Sequence, residues 1–123
     1  MRRSLRRTPI KQGGQTTAKY LFQVNYVGEG VKGLLKDGGS KRRAAVEELY
    51  KSMGGGPAEA FYYAFGETDL FIISDFPDNA TVAGGVLAVT STGACTVKTT
   101  VLLTPEELDE AAQKSPRFSP PGQ

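Results

Sequence analysis

The sequence contains no histidine and no tryptophan, and only one cysteine, Cys95. Without histidine, Ser-His-Asp and Cys-His catalytic sets, zincin motifs and His-ligated iron sites cannot be built from this chain. One cysteine forms neither an intramolecular disulfide nor a thiolate metal cage, so no metal and no cofactor is expected, and the composition reads as intracellular and cytoplasmic. Long apolar runs are missing as well. The longest, Ala60–Phe65, is far below the roughly 18 residues that span a bilayer, so no membrane partner is expected. Gly54-Gly55-Gly56 follows a helical pattern and lacks a Gly-Lys-Ser/Thr continuation, so it is not a phosphate loop.

Acidic residues are absent from the first 17 positions, which carry Arg2, Arg3, Arg6, Arg7 and Lys11. The net charge of the chain is +2, so the remainder is mildly acidic. Residues 1–17 contain Pro9, Gly13 and Gly14 and no apolar period, and they read as a basic flexible tail, with an organellar transit peptide as the alternative. No apolar stretch of a secretory signal follows the arginines. The tail lacks aromatics for base stacking, which argues against a nucleic-acid partner.

What is present in the 123 residues fits one domain. Ala18–Val27 alternates, with Tyr20, Phe22, Val24 and Tyr26 on one face, as a half-buried strand does. Between the breaks at 28–30 and 37–40, Val31–Leu35 has room for a single turn. Ser40 is placed to cap a helix over Lys41–Met53, whose Ala45, Val46, Leu49, Tyr50 and Met53 form one stripe. Ala58–Phe65 and Leu70–Ser74 read as a hairpin, with Phe61, Tyr63 and Phe65 on the inward side and Tyr62 opposite. Asp78 is placed to cap a helix over Asn79–Thr92, and Cys95–Leu103 alternates again as a strand. Thr104-Pro105-Glu106-Glu107 is a capping box that starts a short helix to Lys114. Residues 115–123 are a Pro-rich C-terminal tail, which leaves 18–114 as the folded domain.

The order β-α-β-β-α-β plus a short C-terminal helix predicts an α+β, ferredoxin-like domain: an antiparallel sheet with both helices on one face. Its other face would carry Leu21, Val27, Ala60, Tyr62 and Ala64. A bare apolar face of that kind predicts a homodimer or higher homo-oligomer that pairs sheet to sheet.

The corner Tyr63-Ala64-Phe65-Gly66-Glu67-Thr68-Asp69-Leu70, then Phe76-Pro77-Asp78, a small-residue helix and Gly93, resembles the GYD-domain family. Asn25-Tyr26, Gly30-Val31-Lys32 and Lys36-Asp37 add to the likeness, which spans about residues 18–104. Gly66 and Asp69 match the Gly-x-Tyr-Asp signature. Thr68 stands where the signature has Tyr, so no role of that Tyr carries over. The resemblance implies a dimeric α/β barrel and no settled activity. Structural relatives of that fold include cofactor-free monooxygenases, isomerases, haem-dependent enzymes and amino-acid-sensing modules.

Two functional readings follow. One is a small-molecule-binding or regulatory protein with its ligand between sheet and helices. The other is a cofactor-independent monooxygenase or isomerase that uses a carboxylate or Tyr as acid and base. The candidate ligand-binding residues are Asn25, Tyr26, Tyr62, Gly66 and Asp69, with no catalytic residue assigned. Asp69 reads either as a functional carboxylate or as an acceptor for backbone N–H groups of its own turn. Tyr26 reads as a cleft residue or as the last core aromatic, and Tyr62 and Tyr63 read first as packing residues. Cys95 reads as a small buried hydrophobe. Lys41-Arg42-Arg43 reads as a solvated charge run, with an anion held at the helix start as the alternative.

Overall fold

The structure is a computed structural model that describes residues 11–12 and 15–123. The tail expected over residues 1–17 lies mostly outside them; within it, β1 (Lys11–Gln12) pairs antiparallel with β2 (Gln15–Thr16). The domain then runs β3 (Ala18–Tyr26), α1 (Glu29–Asp37), α2 (Gly39–Ser52), β4 (Ala60–Tyr63), β5 (Leu70–Phe76), α3 (Asn79–Thr90), β6 (Cys95–Leu102) and α4 (Pro105–Lys114).

The alternation in β3 sets the layers. Tyr20, Phe22, Val24 and Tyr26 are buried and the residues between them are half-buried, so one face of the strand meets the core. Neighbours in the order β4-β5-β3-β6 are all antiparallel, with Phe22 opposite Ile72 on one side and Thr99 on the other. This is the ferredoxin-like α+β arrangement. The core joins the inward residues of β3 and β5 to Phe61, to Tyr50 of α2 and to Val82 of α3, with Val46, Leu49, Met53 and Val86 packed against it. At about 1.5–3 kcal/mol for each large apolar side chain, this layer is the main source of stability. Phe76 sits at its centre, edge-on to Tyr20, Phe22 and Tyr50.

Several local features differ from the sequence pattern. Val31–Leu35 is part of the nine-residue α1, not a single turn. Gly30 and Gly33 each lower helix propensity by about 1 kcal/mol, which hides the helix from a pattern search, and its packing overrides that cost. Ser40 is not an N-cap: α2 starts at Gly39 after Gly38, whose φ of 81° turns the chain out of α1. β4 is only four residues long, so Phe65 lies beyond the strand and is fully exposed instead of facing the core. Tyr62 is 71% exposed, so it packs in no core of this chain. Gly85 presses on Met53, as expected for a glycine at a close helix contact, but Gly84 faces open space.

Two of the three predicted capping signals form. Asp78 accepts the Thr81 N–H at 2.8 Å, and Thr104 and Glu107 cap each other's backbone N–H. Glu47 of α2 ties the chain that follows its own helix by accepting the Ala58 N–H at 3.0 Å. That bond, with Arg43 beside it, holds the Glu47 carboxyl below its usual range, as the Thr81 N–H does for Asp78. A carboxyl lowered on folding contributes stability above its unfolded value, and the contribution is lost as pH falls through the folded one. The melting midpoint is therefore expected to fall as pH drops below the ordinary values of 4.5 and 3.8, and Glu47→Gln to make that acid slope shallower. A slope unchanged by Glu47→Gln, measured by thermal melts across this range, would show that the bond to Ala58 contributes nothing.

Candidate functional site

At one end of the sheet, the β4–β5 turn is bonded to the last residues of β3. The Asn25 side-chain amide donates to the Glu67 carbonyl at 2.7 Å, and Asp69 Oδ2 accepts the Tyr26 N–H at 3.0 Å. The Asp69 N–H donates to Val24 O, and the Ala64 N–H to Asp69 O. Thr68 receives the Gln23 side-chain amide at 3.4 Å. Asn25, Tyr26 and Asp69 are thus brought together by the turn that contains Gly66, whereas Tyr62 opposes Phe71 on the outer sheet face, which Asn25 shares and Tyr26 does not. The geometry gives Asp69 a backbone-capping bond. Asp69→Ala, which leaves a buried N–H without its charged acceptor, is expected to cost about 1–3 kcal/mol in a denaturant titration. A midpoint unchanged from wild type would remove that role.

Two concavities flank Tyr26. One is an open groove of about 630 Å³ between α1 and the β4–β5 turn, bordered by Leu34, Tyr63, Phe65 and Asp69. Tyr63 is fixed there by donating its hydroxyl to Gly39 O at 2.9 Å. The other is a narrower cavity of about 110 Å³ whose floor is the inner sheet face and whose walls are α2 and α3. Phe22, Ile72 and Val97 line the floor, Val46, Leu49 and Met53 one wall, and Val82, Val86 and Val89 the other. The two helices approach at Met53 and Gly85, where a Cβ on residue 85 would stand 2.3 Å from Met53 Cε, and both Met53 and Gly85 line the cavity. Of the five candidate ligand-binding residues only Tyr26 lines this cavity; Tyr26 and Asp69 border the open groove, and Asn25, Tyr62 and Gly66 line neither.

The few polar groups of the narrower cavity are Tyr26, Arg42, Tyr50 and Cys95. Burial pushes the Tyr26 hydroxyl up, Tyr63 and Cys95 add to the shift, and Arg42 opposes it. Burial raises Tyr50 strongly, reinforced by Tyr26 and Glu47, and it raises the Cys95 thiol. All three therefore hold their protons at neutral pH. Among the described residues, no three His, Cys, Asp or Glu side chains converge as metal ligands would.

Arg42 and Tyr50 are the site residues that sequence reasoning missed. Tyr50 was legible as part of the α2 stripe, but a stripe does not show which members border a gap. Arg42 belongs to the charge run at the start of α2. Its neighbours are occupied outside: Lys41 is exposed, and Arg43 bonds Glu47 and lies over the Phe61 ring. Only Arg42 turns to the cavity.

The sequence model of the GYD domain matches residues 20–112. The chain belongs to the GYD-domain family. Among solved structures, this GYD-domain protein is similar to the NE2512 protein of unknown function from Nitrosomonas europaea. The likeness has 18% identity and a TM-score of 0.40, with 72% of this chain and 91% of that chain covered. A search among curated proteins finds no match. In this GYD domain the signature aspartate, Asp69, bonds the strand backbone beside Tyr26, and Tyr26 in turn borders both concavities. No helix among the described residues is long and apolar enough to cross a membrane.

Proposed function

We propose that this GYD-domain protein binds a small apolar molecule in the cavity between its sheet and the α2–α3 layer. The observation that carries this reading is the cavity itself: about 110 Å³ walled by Val, Leu, Ile, Met and Phe side chains, with only four polar groups. An apolar void of comparable size, roughly 150 Å³, stays dry and accepts benzene or xenon. The direction of the shifts favours binding over proton transfer, since Tyr26, Tyr50 and Cys95 are all moved away from the neutral range that a general base needs. A ligand with five buried carbons gains about 4 kcal/mol, a dissociation constant near 1 mM. Titration with 3-methylbutan-1-ol, followed by amide chemical shifts, is expected to move Val46, Ile72 and Val86 with about that affinity. Shifts confined to residues of the open groove would overturn the reading.

The domain works in this reading as half of a homodimer joined through the outer sheet face. That face carries Leu21, Phe71, Ile73 and Leu102, only half-buried in the single chain, and the exposed Tyr62. On that face Lys19 is already paired, by Glu59 and Asp75, so covering it strands no charge there, while Lys98, opposite Gln23, has no ion pair among the described residues. Sedimentation at micromolar concentration is expected to give twice the 13.2 kDa chain mass. A stable species of one chain would refute the pairing.

A further inference from the structure

Each polar group of the cavity carries a hydrogen-bond donor, Arg42 donors alone, and one of them is unanswered. Tyr50 is 7% exposed, lines the cavity, and its hydroxyl has no hydrogen-bond partner among the described residues. A buried hydroxyl without a partner costs about 1–3 kcal/mol, so such a group marks the place of an acceptor. Near it, on the same cavity, are the Tyr26 hydroxyl and the Arg42 guanidinium. Arg42 has a loose counter-charge, Asp37 Oδ2 at 3.6 Å, and interacts with the Tyr26 hydroxyl, which leaves others of its five N–H donors for a ligand. The nearby acceptor Glu47 is engaged by the Ala58 N–H and Arg43.

Resting on the ligand-binding reading above, we infer that the cavity takes a compact apolar carboxylic acid in its ionised form. Its carboxylate lies at the Arg42 end and accepts from Tyr26 and Tyr50, and its hydrocarbon lies over Val46, Ile72 and Val86. A carboxylate fits better than a phosphate because the site holds one cation. Lys41 and Arg43 are turned away, and a dianion would exceed the charge that Arg42 can answer. A neutral ligand would satisfy the Tyr50 hydroxyl but gain nothing from Arg42. Charge-assisted bonds to a carboxylate are roughly twice as strong as neutral ones, so the acid is the chemistry this wall selects.

The experiment compares two probes of one carbon skeleton, 3-methylbutanoate and 3-methylbutan-1-ol, by amide-shift titration at pH 7 and fixed ionic strength. Wild type is expected to bind the acid at least tenfold more tightly than the alcohol. Arg42→Met is expected to weaken the acid tenfold or more and leave the alcohol within twofold, while Arg42→Lys, which keeps the charge, recovers part of the loss. Equal affinity for the two probes, or an acid preference that survives Arg42→Met, overturns the carboxylate assignment while the ligand-binding reading stands. Failure of both probes to move the cavity amides overturns both. The wild-type comparison needs no variant, so the inference is testable even where Arg42→Met does not fold.

Discussion

Replacing Gly30 by Ala is expected to lower folding stability by about 3 kcal/mol, at the upper end of what overpacking usually costs. A Cβ at residue 30 would stand 2.0 Å from the Ala94 carbonyl oxygen and 2.8 Å from its carbon. Both are backbone atoms, so no side-chain rotation relieves the clash. The same carbonyl accepts the Val27 N–H at 2.9 Å, and the Gly30 N–H donates to Val27 O at 2.9 Å. Moving either segment therefore breaks the junction of β3, α1 and the approach to β6. Helix propensity argues the other way, since Ala is favoured over Gly by about 1 kcal/mol inside a helix. The sign of the effect thus decides between contact and propensity. Gly33 in the same helix has no atom within 4 Å of its Cβ position, so Gly33→Ala is expected to be neutral or stabilising by up to about 1 kcal/mol. Urea midpoints of the two variants test the pair. A Gly30→Ala protein as stable as wild type would mean that α1 does not press on Ala94.

Filling the cavity is expected to abolish binding without unfolding the protein. Val86 is half-buried on α3 and borders the void, and Phe in its place puts a phenyl ring into a space of about 110 Å³. The affinity of 3-methylbutan-1-ol for Val86→Phe is expected to fall at least about a hundredfold, equivalent to about 2.8 kcal/mol. Stability is expected to stay within about 1 kcal/mol of wild type, because cavity filling offsets the strain of the larger side chain. Denaturant midpoint and probe titration on the same sample separate the outcomes. Unchanged affinity in a folded Val86→Phe protein would place binding elsewhere, and a large loss of stability would show that the gap is already closed by packing.

How far the fold was readable depended on whether local pattern and tertiary contact agreed. β3 alternates cleanly because one of its faces meets the core, and Asp78 and the Thr104–Glu107 box announce α3 and α4 through backbone chemistry that needs only neighbours in sequence. α1 stayed hidden because Gly30 answers to Ala94, more than sixty residues away, and Gly33 adds a second helix-weakening residue without any such contact. Phe65 continues the alternation of Phe61 and Tyr63, yet β4 has already ended, since the chain turns to make the Ala64 to Asp69 bond. Around the site, Asn25, Tyr26 and Asp69 are joined by bonds between β3 and the β4–β5 turn, more than forty residues apart, so the family signature and not local pattern pointed to them. Arg42 was not. Three cations in a row look alike in sequence, and only the α2 phase, set by a start at Gly39, decides which one meets the cavity. The cavity itself has no local signature, because its width follows from the spacing of α2 and α3 at Met53 and Gly85.

The most direct test of a ligand cavity between sheet and helices is a crystal of the full chain equilibrated under xenon. Xenon enters dry apolar voids and is located by its scattering alone. The account predicts one xenon site enclosed by Phe22, Val46, Ile72 and Val86. Side chains closed over that volume, or ordered water in place of xenon, would contradict it.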